Sequence, residues 1–150
     1  NGGEGVKQFS YNSLGKFKLL EVMMFSHVIL GTNDLEESKT FYNALLGALG
    51  ANPGVVDDKG RLMFVHDDKI FGLTPPIDGQ PATHGNGSTI GFSCSSSEQV
   101  DAWHAAGVAN GGQSIEEPPG VRESAFGNLY LAYLRDPAGN KLCGLHIMGQ

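Results

Sequence analysis

"SHVILGTNDLEESKTFYNALLGALG", residues 26–50, reads as a short alternating strand, a turn, a capped amphipathic helix and a glycine stop. Displaced by 62 residues, "STIGFSCSSSEQVDAWHAAGVANGG", residues 88–112, repeats the same order of roles. Val28 falls on Ile90, Leu30 on Phe92, Glu36 on Glu98, Phe41 on Trp103, Leu46 on Val108 and Gly50 on Gly112. Few identities survive, but the pattern indicates one supersecondary unit used twice. Asp34 with Glu37, and Ser96 with Gln99, are pairs that satisfy free N–H groups at a helix start. The first helix carries an apolar stripe on Leu35, Phe41, Tyr42, Leu45, Leu46 and Leu49. The second carries a thinner one on Val100, Trp103, His104 and Val108. Gly50 and Gly111–Gly112 supply the C-terminal caps.

Outward from the helices the chain turns to strands. The first copy offers "GVVDD", "RLMFVHDD" and "KIFGLTP"; the second offers "QSIEEP", "NLYLAYLRD" and "KLCGLHI". "KIFGL" lies on "KLCGL" at an offset of 72. "DPAGN", residues 136–140, is a hairpin loop in which Pro fixes φ and Gly supplies φ > 0. "TPPIDGQPATHGNG", residues 74–87, has no apolar period and reads as a linker. The expected architecture is α+β: βαβββ over about 24–74, a linker over 75–87, and βαβββ over 88–147, in one domain spanning 23–150. Residues 1–22 are polar and Gly-rich. They read as a leader or expression-derived segment before a natural start near Met24, or as an N-terminal arm with "KQFSYNS" as an edge strand.

The bulk numbers exclude several classes of function. The 150 residues are 40% hydrophobic and 17% charged, enough to bury a core. Net charge is −6 with no run of Lys or Arg, which argues against nucleic acid or an anionic membrane as partner. No stretch reaches the ~20 apolar residues of a membrane span. "LLEVMMFSHVIL" is interrupted by Glu21 and His27 and is not followed by a signal-peptide cleavage site. Cys94 and Cys143, lone and without repeated spacing, read as reduced thiols, so a cytoplasmic location is expected.

The segments "FSHVILGTNDLEESKTFY", "PATHGNGSTIGF", "AWHAAGVANGG", "PPGVRE" and "YLAYLRDPAGNKLCGL" resemble the vicinal oxygen chelate superfamily, which holds glyoxalase I, extradiol dioxygenases and bleomycin-resistance proteins. The likeness covers about residues 24–147, and the "RDPAGNK" hairpin is its most specific piece. It implies that the two modules curl into a mixed-sheet cup and that the protein forms a homodimer. Metal-using members place one ligand on the first strand and one on the last strand of each half. Carried over, those positions are His27 and Phe71, then Thr89 and Cys143. His27 matches the usual first ligand for Zn, Ni, Fe or Mn. Phe71 cannot bind a metal, and Thr89 offers a neutral hydroxyl. Cys143 offers a ligand only as a thiolate. A catalytic divalent site commonly needs three protein ligands.

Other residues bear on a ligand rather than a metal. Arg122 sits in a segment, Glu116 to Asn128, that reads as a loop over the second cup, where a guanidinium can grip a carboxylate or phosphate. Tyr133 faces Cys143 in the simplest register counted outward from "DPAGN". Leu131 and Phe71 would give an apolar floor suited to a small organic, anionic or aromatic ligand. His66, His84, His104 and His146 read as loop, linker, packing and surface histidines, and Cys94 as inert. The expected function is small-molecule binding in the cup without the family's metal, and no catalytic residue stands out. Two alternatives are a metal-dependent lyase, isomerase or dioxygenase using His27, and an interaction module whose pocket is filled.

Overall fold

The structure is a computed structural model that describes residues 24–149 apart from residue 126. The leader or edge strand expected in residues 1–22 lies outside the described residues. In the first module, strand β1 (His27–Gly31) leads into helix α1 (Leu35–Gly47), then β2 (Val55–Val56), β3 (Leu62–His66) and β4 (Lys69–Thr74). The second runs β5 (Ile90–Ser93), α2 (Ser97–Ala109), β6 (Gln113–Ser124), β7 (Gly127–Arg135) and β8 (Lys141–Ile147). The sheets have strand orders β1-β4-β3-β2 and β5-β8-β7-β6. In each, the first and last strands of the module pair in parallel and the other pairs are antiparallel. The duplication is therefore a repeated topology, and the α+β fold of two βαβββ units is present. The two sheets are not closed into one barrel.

The helix ends follow the sequence signals. Glu37 N donates to Asp34 Oδ1 at 2.9 Å and Gln99 N to Ser96 Oγ at 3.1 Å. Gly50 and Gly111 take positive φ just past the two helices, where a Cβ would be strained. Phe41, Tyr42, Leu45 and Leu46 of α1 bury completely or nearly so, as do Val100 and Trp103 of α2. Val108, assigned to the second stripe, is instead exposed; its turn of the helix buries Gly107, where a Cβ would strike Leu134.

One core serves both modules. Tyr42, Phe71, Phe92 and Trp103 form a chain of rings with centroids 5.0, 5.4 and 6.2 Å apart, running from α1 through β4 and β5 to α2. Leu62, Phe64, Leu73, Ala132, Leu134 and Leu142 complete it from the sheets. Each sheet thus has a helix-covered face and an open face, and strand alternation assigns every residue to one or the other.

That alternation corrects one step of the sequence reading. Val28 pairs with Phe71 and Ile90 with Leu142. Since Val28 and Ile90 are equivalent, Phe71 corresponds to Leu142, an offset of 71 rather than 72. The counterpart of Cys143 is Gly72. The slip arises because β3 and β4 are joined by two residues, Asp67 and Asp68, both at positive φ, whereas β7 and β8 are joined by the five of "DPAGN". A one-residue slip exchanges the faces of a sheet. Phe71 accordingly stands on the helix-covered face, against Tyr42 and Phe64, and does not floor the open one. The segment Glu116–Asn128 is also not a loop. It is the end of β6 and the start of β7, paired from Gly120↔Leu131 to Ser124↔Gly127, with an irregularity between Ile115 and Gly120.

Candidate functional site

The open face of the second sheet carries a hollow of about 340 Å³ lined by Glu116, Glu117, Arg122, Leu131 and Tyr133. This is near the lower end of the roughly 300–1,000 Å³ usual for small-molecule sites. Its floor follows from register. Tyr133 pairs with Ile115 on one side and Cys143 on the other, and Leu131 pairs with Gly120 and Leu145. Paired residues share a face, so Leu131, Tyr133 and Cys143 all point away from α2. Gly120, lacking a side chain, leaves room for the Arg122 guanidinium, whose Nη1 would lie 3.3 Å from an added Cβ.

The rim is charged. The irregularity in β6 sets Glu116 at φ 58, in the left-handed region, and this re-aims the carboxylates next to it. Lys141 Nζ lies 3.2 Å from Glu116 Oε1 and 4.8 Å from the centre of the Tyr133 ring, so it is held by an ion pair and a cation–π contact together. Arg122 folds over the bulge: its Nη2 donates to Pro118 O at 2.8 Å and its Nη1 to Val121 O at 3.2 Å. A guanidinium has five N–H donors, so three remain for a ligand. Burial pushes the Tyr133 hydroxyl above its ordinary pKa, with the Cys143 thiol adding to the effect, so at neutral pH it is a neutral phenol that can donate. Burial likewise raises the Cys143 thiol, with Tyr133 and Lys141 only partly opposing it.

Of the residues expected at the site, Arg122, Leu131 and Tyr133 line the hollow together. Cys143 stands beside them as the cross-strand partner of Tyr133, in the register expected. His27, Thr89 and Phe71 are not in the lining. His27 is exposed at the start of β1, its Nδ1 2.8 Å from Ser26 Oγ. Thr89 is exposed just ahead of β5, and Phe71 is in the core. Glu116 and Glu117 were missed as lining residues. The signal available was "EEPPG", two carboxylates followed by prolines that interrupt a strand ladder and force the bulge.

With the register corrected, the four positions that the resemblance assigned to metal ligands become His27, Gly72, Thr89 and Cys143. They supply one imidazole, one neutral hydroxyl and one thiol, and Gly72 supplies no side chain. That donor set does not fit a catalytic metal, which commonly takes three protein ligands, because only His27 and Cys143 carry good donors. Among the described residues no group of three or more His, Cys, Asp or Glu side chains could hold a metal ion. No described helix is long and apolar enough to cross a membrane.

Residues 24–143 match the family model described as Glyoxalase/Bleomycin resistance protein/Dioxygenase superfamily. A crystal structure of a glyoxalase/bleomycin resistance protein from Albidiferax ferrireducens is 62% identical, covers 83% of this chain and 100% of its own, and superimposes with a TM-score of 0.81. A glyoxalase/bleomycin resistance protein/dioxygenase family enzyme from Burkholderia phytofirmans is 19% identical over 82% of this chain and 98% of its own, with a TM-score of 0.64. A glyoxalase-related enzyme from Fulvimarina pelagi is 18% identical over 83% and 88%, with a TM-score of 0.63. The last two likenesses show the fold alone. None of the curated proteins matches the chain.

Proposed function

The chain belongs to the glyoxalase/bleomycin resistance protein/dioxygenase superfamily, and on that premise we propose that it binds a small organic ligand without a divalent metal. The apolar or aromatic body of the ligand rests on Leu131 and Tyr133, and an anionic group meets Arg122. The observation that carries this reading is the hollow itself. A half-buried guanidinium with unused donors, a neutral phenol and a buried leucine converge on it, whereas the positions the resemblance assigns to a metal offer only an imidazole and a thiol as good donors. Binding of this kind needs shape, apolar area and one or two charge contacts, and no reacting group.

The open face of the first sheet supports a homodimer. Val65 and Ile70, 61% and 37% exposed, stand beside His27 on that face, and such surface is normally covered by a partner. Two buried free thiols suit a reducing compartment such as the cytoplasm.

The test has two arms. Calorimetric titration with small aromatic carboxylates is expected to give stoichiometric binding that R122Q weakens about tenfold or more, since hydrogen bonds to charged groups contribute roughly 1.5–3 kcal/mol. Elemental analysis of protein purified without chelator, before and after exposure to Zn, Ni, Mn and Fe, is expected to give well below one ion per chain. A stoichiometric ion lost in His27→Ala would overturn the reading in favour of a metal-dependent lyase, isomerase or dioxygenase. Failure of every carboxylate to bind would favour an interaction module.

A further inference from the structure

Three charged side chains line the hollow, Glu116, Glu117 and Arg122; Lys141 stands beside Glu116, and the four are not equivalent. Glu116 and Lys141 neutralise each other at 3.2 Å. The Glu117 side chain has no ion pair or hydrogen bond among the described residues, and the Arg122 side chain reaches only backbone carbonyls. Arg122 and Glu117 line the same hollow yet do not pair with each other. A purely anionic ligand held by Arg122 would bring its charge towards the Glu117 carboxylate. A neutral ligand would leave both charges to water.

We propose that the ligand is zwitterionic, with an anionic group on Arg122 and a protonated amine or comparable N–H donor on Glu117. This rests on the ligand-binding reading above and adds the second charge to it. The Glu116–Lys141 pair is already matched at 3.2 Å and leaves no free charge for a ligand. What remains is one cationic and one anionic arm above a floor of Leu131 and Tyr133. Opposite charges lining one small hollow select for ligand orientation as well as composition, because reversing the ligand sets like charges together.

Three probes that share a phenyl ring separate the contributions: phenylacetate, 2-phenylethylamine and phenylalanine, each titrated into the full chain and into R122Q and E117Q. Phenylalanine is expected to bind at least threefold tighter than either singly charged probe. E117Q is expected to weaken phenylalanine and 2-phenylethylamine at least threefold and to tighten phenylacetate, whereas R122Q should weaken phenylalanine and phenylacetate. Glu117 is exposed, so E117Q should fold as the parent does. If E117Q binds all three probes like the parent while R122Q still loses phenylacetate, the zwitterion is wrong and the anion site stands. If R122Q changes nothing either, both readings fall.

Discussion

Cys143 shows how far one side chain's chemistry depends on its surroundings. A cysteine on the last strand of a module in this family invites a metal thiolate, yet burial raises its pKa, and the nearby Glu116 carboxylate pushes the same way. Cys94 is pushed further, to about 11, mainly by desolvation. Thiolates rather than thiols react with alkylating agents, so both cysteines should resist iodoacetamide in the native protein. With a pKa near 11, Cys94 at pH 8 carries on the order of 100-fold less thiolate than a free cysteine. Alkylation followed by mass spectrometry should show Cys94 reacting that much more slowly at pH 8 and accelerating as the pH approaches 11, with Cys143 also slower than a free thiol. Rapid alkylation of Cys143 at pH 7 would mean a stabilised thiolate and would restore it as a ligand. The sequence made the thiolate conditional, because burial depends on what packs over a strand and no local pattern encodes it.

At the scale of the element, the sheets were legible wherever alternation and turn chemistry agreed. The helix caps, both helices and the Tyr133–Cys143 register follow from local pattern. Phe71 was misplaced because "KIFGL" and "KLCGL" look superimposable, while the hairpins before them differ in length by three residues. The same strand shows what decides a face. At Gly144, on the helix-covered side of β8, an added Cβ would come 2.7 Å from Trp103 Cε3. Trp103 is fully buried and cannot swing away. Gly144→Ala should therefore cost about 1–3 kcal/mol by overpacking, read as a lower urea midpoint with an unchanged slope. Gly91→Ala is the control: it lies on the neighbouring strand with nothing within 4 Å of the added methyl, and it should leave the midpoint nearly unmoved. Equal effects from the two would show that α2 does not press on β8 as described.

For the whole molecule, the question is what makes two repeated modules behave as one. The "RDPAGNK" hairpin supplies part of the answer. Asp136 is 4% exposed, and its carboxylate accepts from Asn140 N and Asn140 Nδ2, both at 2.8 Å, which closes the loop on itself. The remaining capacity goes to the other module: Tyr42 Oη, on α1, donates to Asp136 Oδ2 at 2.6 Å, and Asn140 Nδ2 also reaches Gly31 O on β1 at 3.4 Å. The turn was readable from Pro and Gly at their expected offsets, but a bond between residues 94 apart has no local signature. Burial and the neighbouring carboxylate hold Tyr42 well above its ordinary pKa, so the phenol is a donor at neutral pH. Removing that donor leaves a buried charge short of one hydrogen bond, which costs more than the bond itself contributes. Tyr42→Phe keeps the ring in its contacts with Phe41 and Phe71 and deletes only the hydroxyl. It should lower stability by about 1–3 kcal/mol in a single urea transition, because the ring chain still joins both modules in one core. A loss below about 0.5 kcal/mol would mean that the clip contributes nothing measurable. Two separate transitions would mean that the hydroxyl, rather than the shared aromatic core, couples the modules.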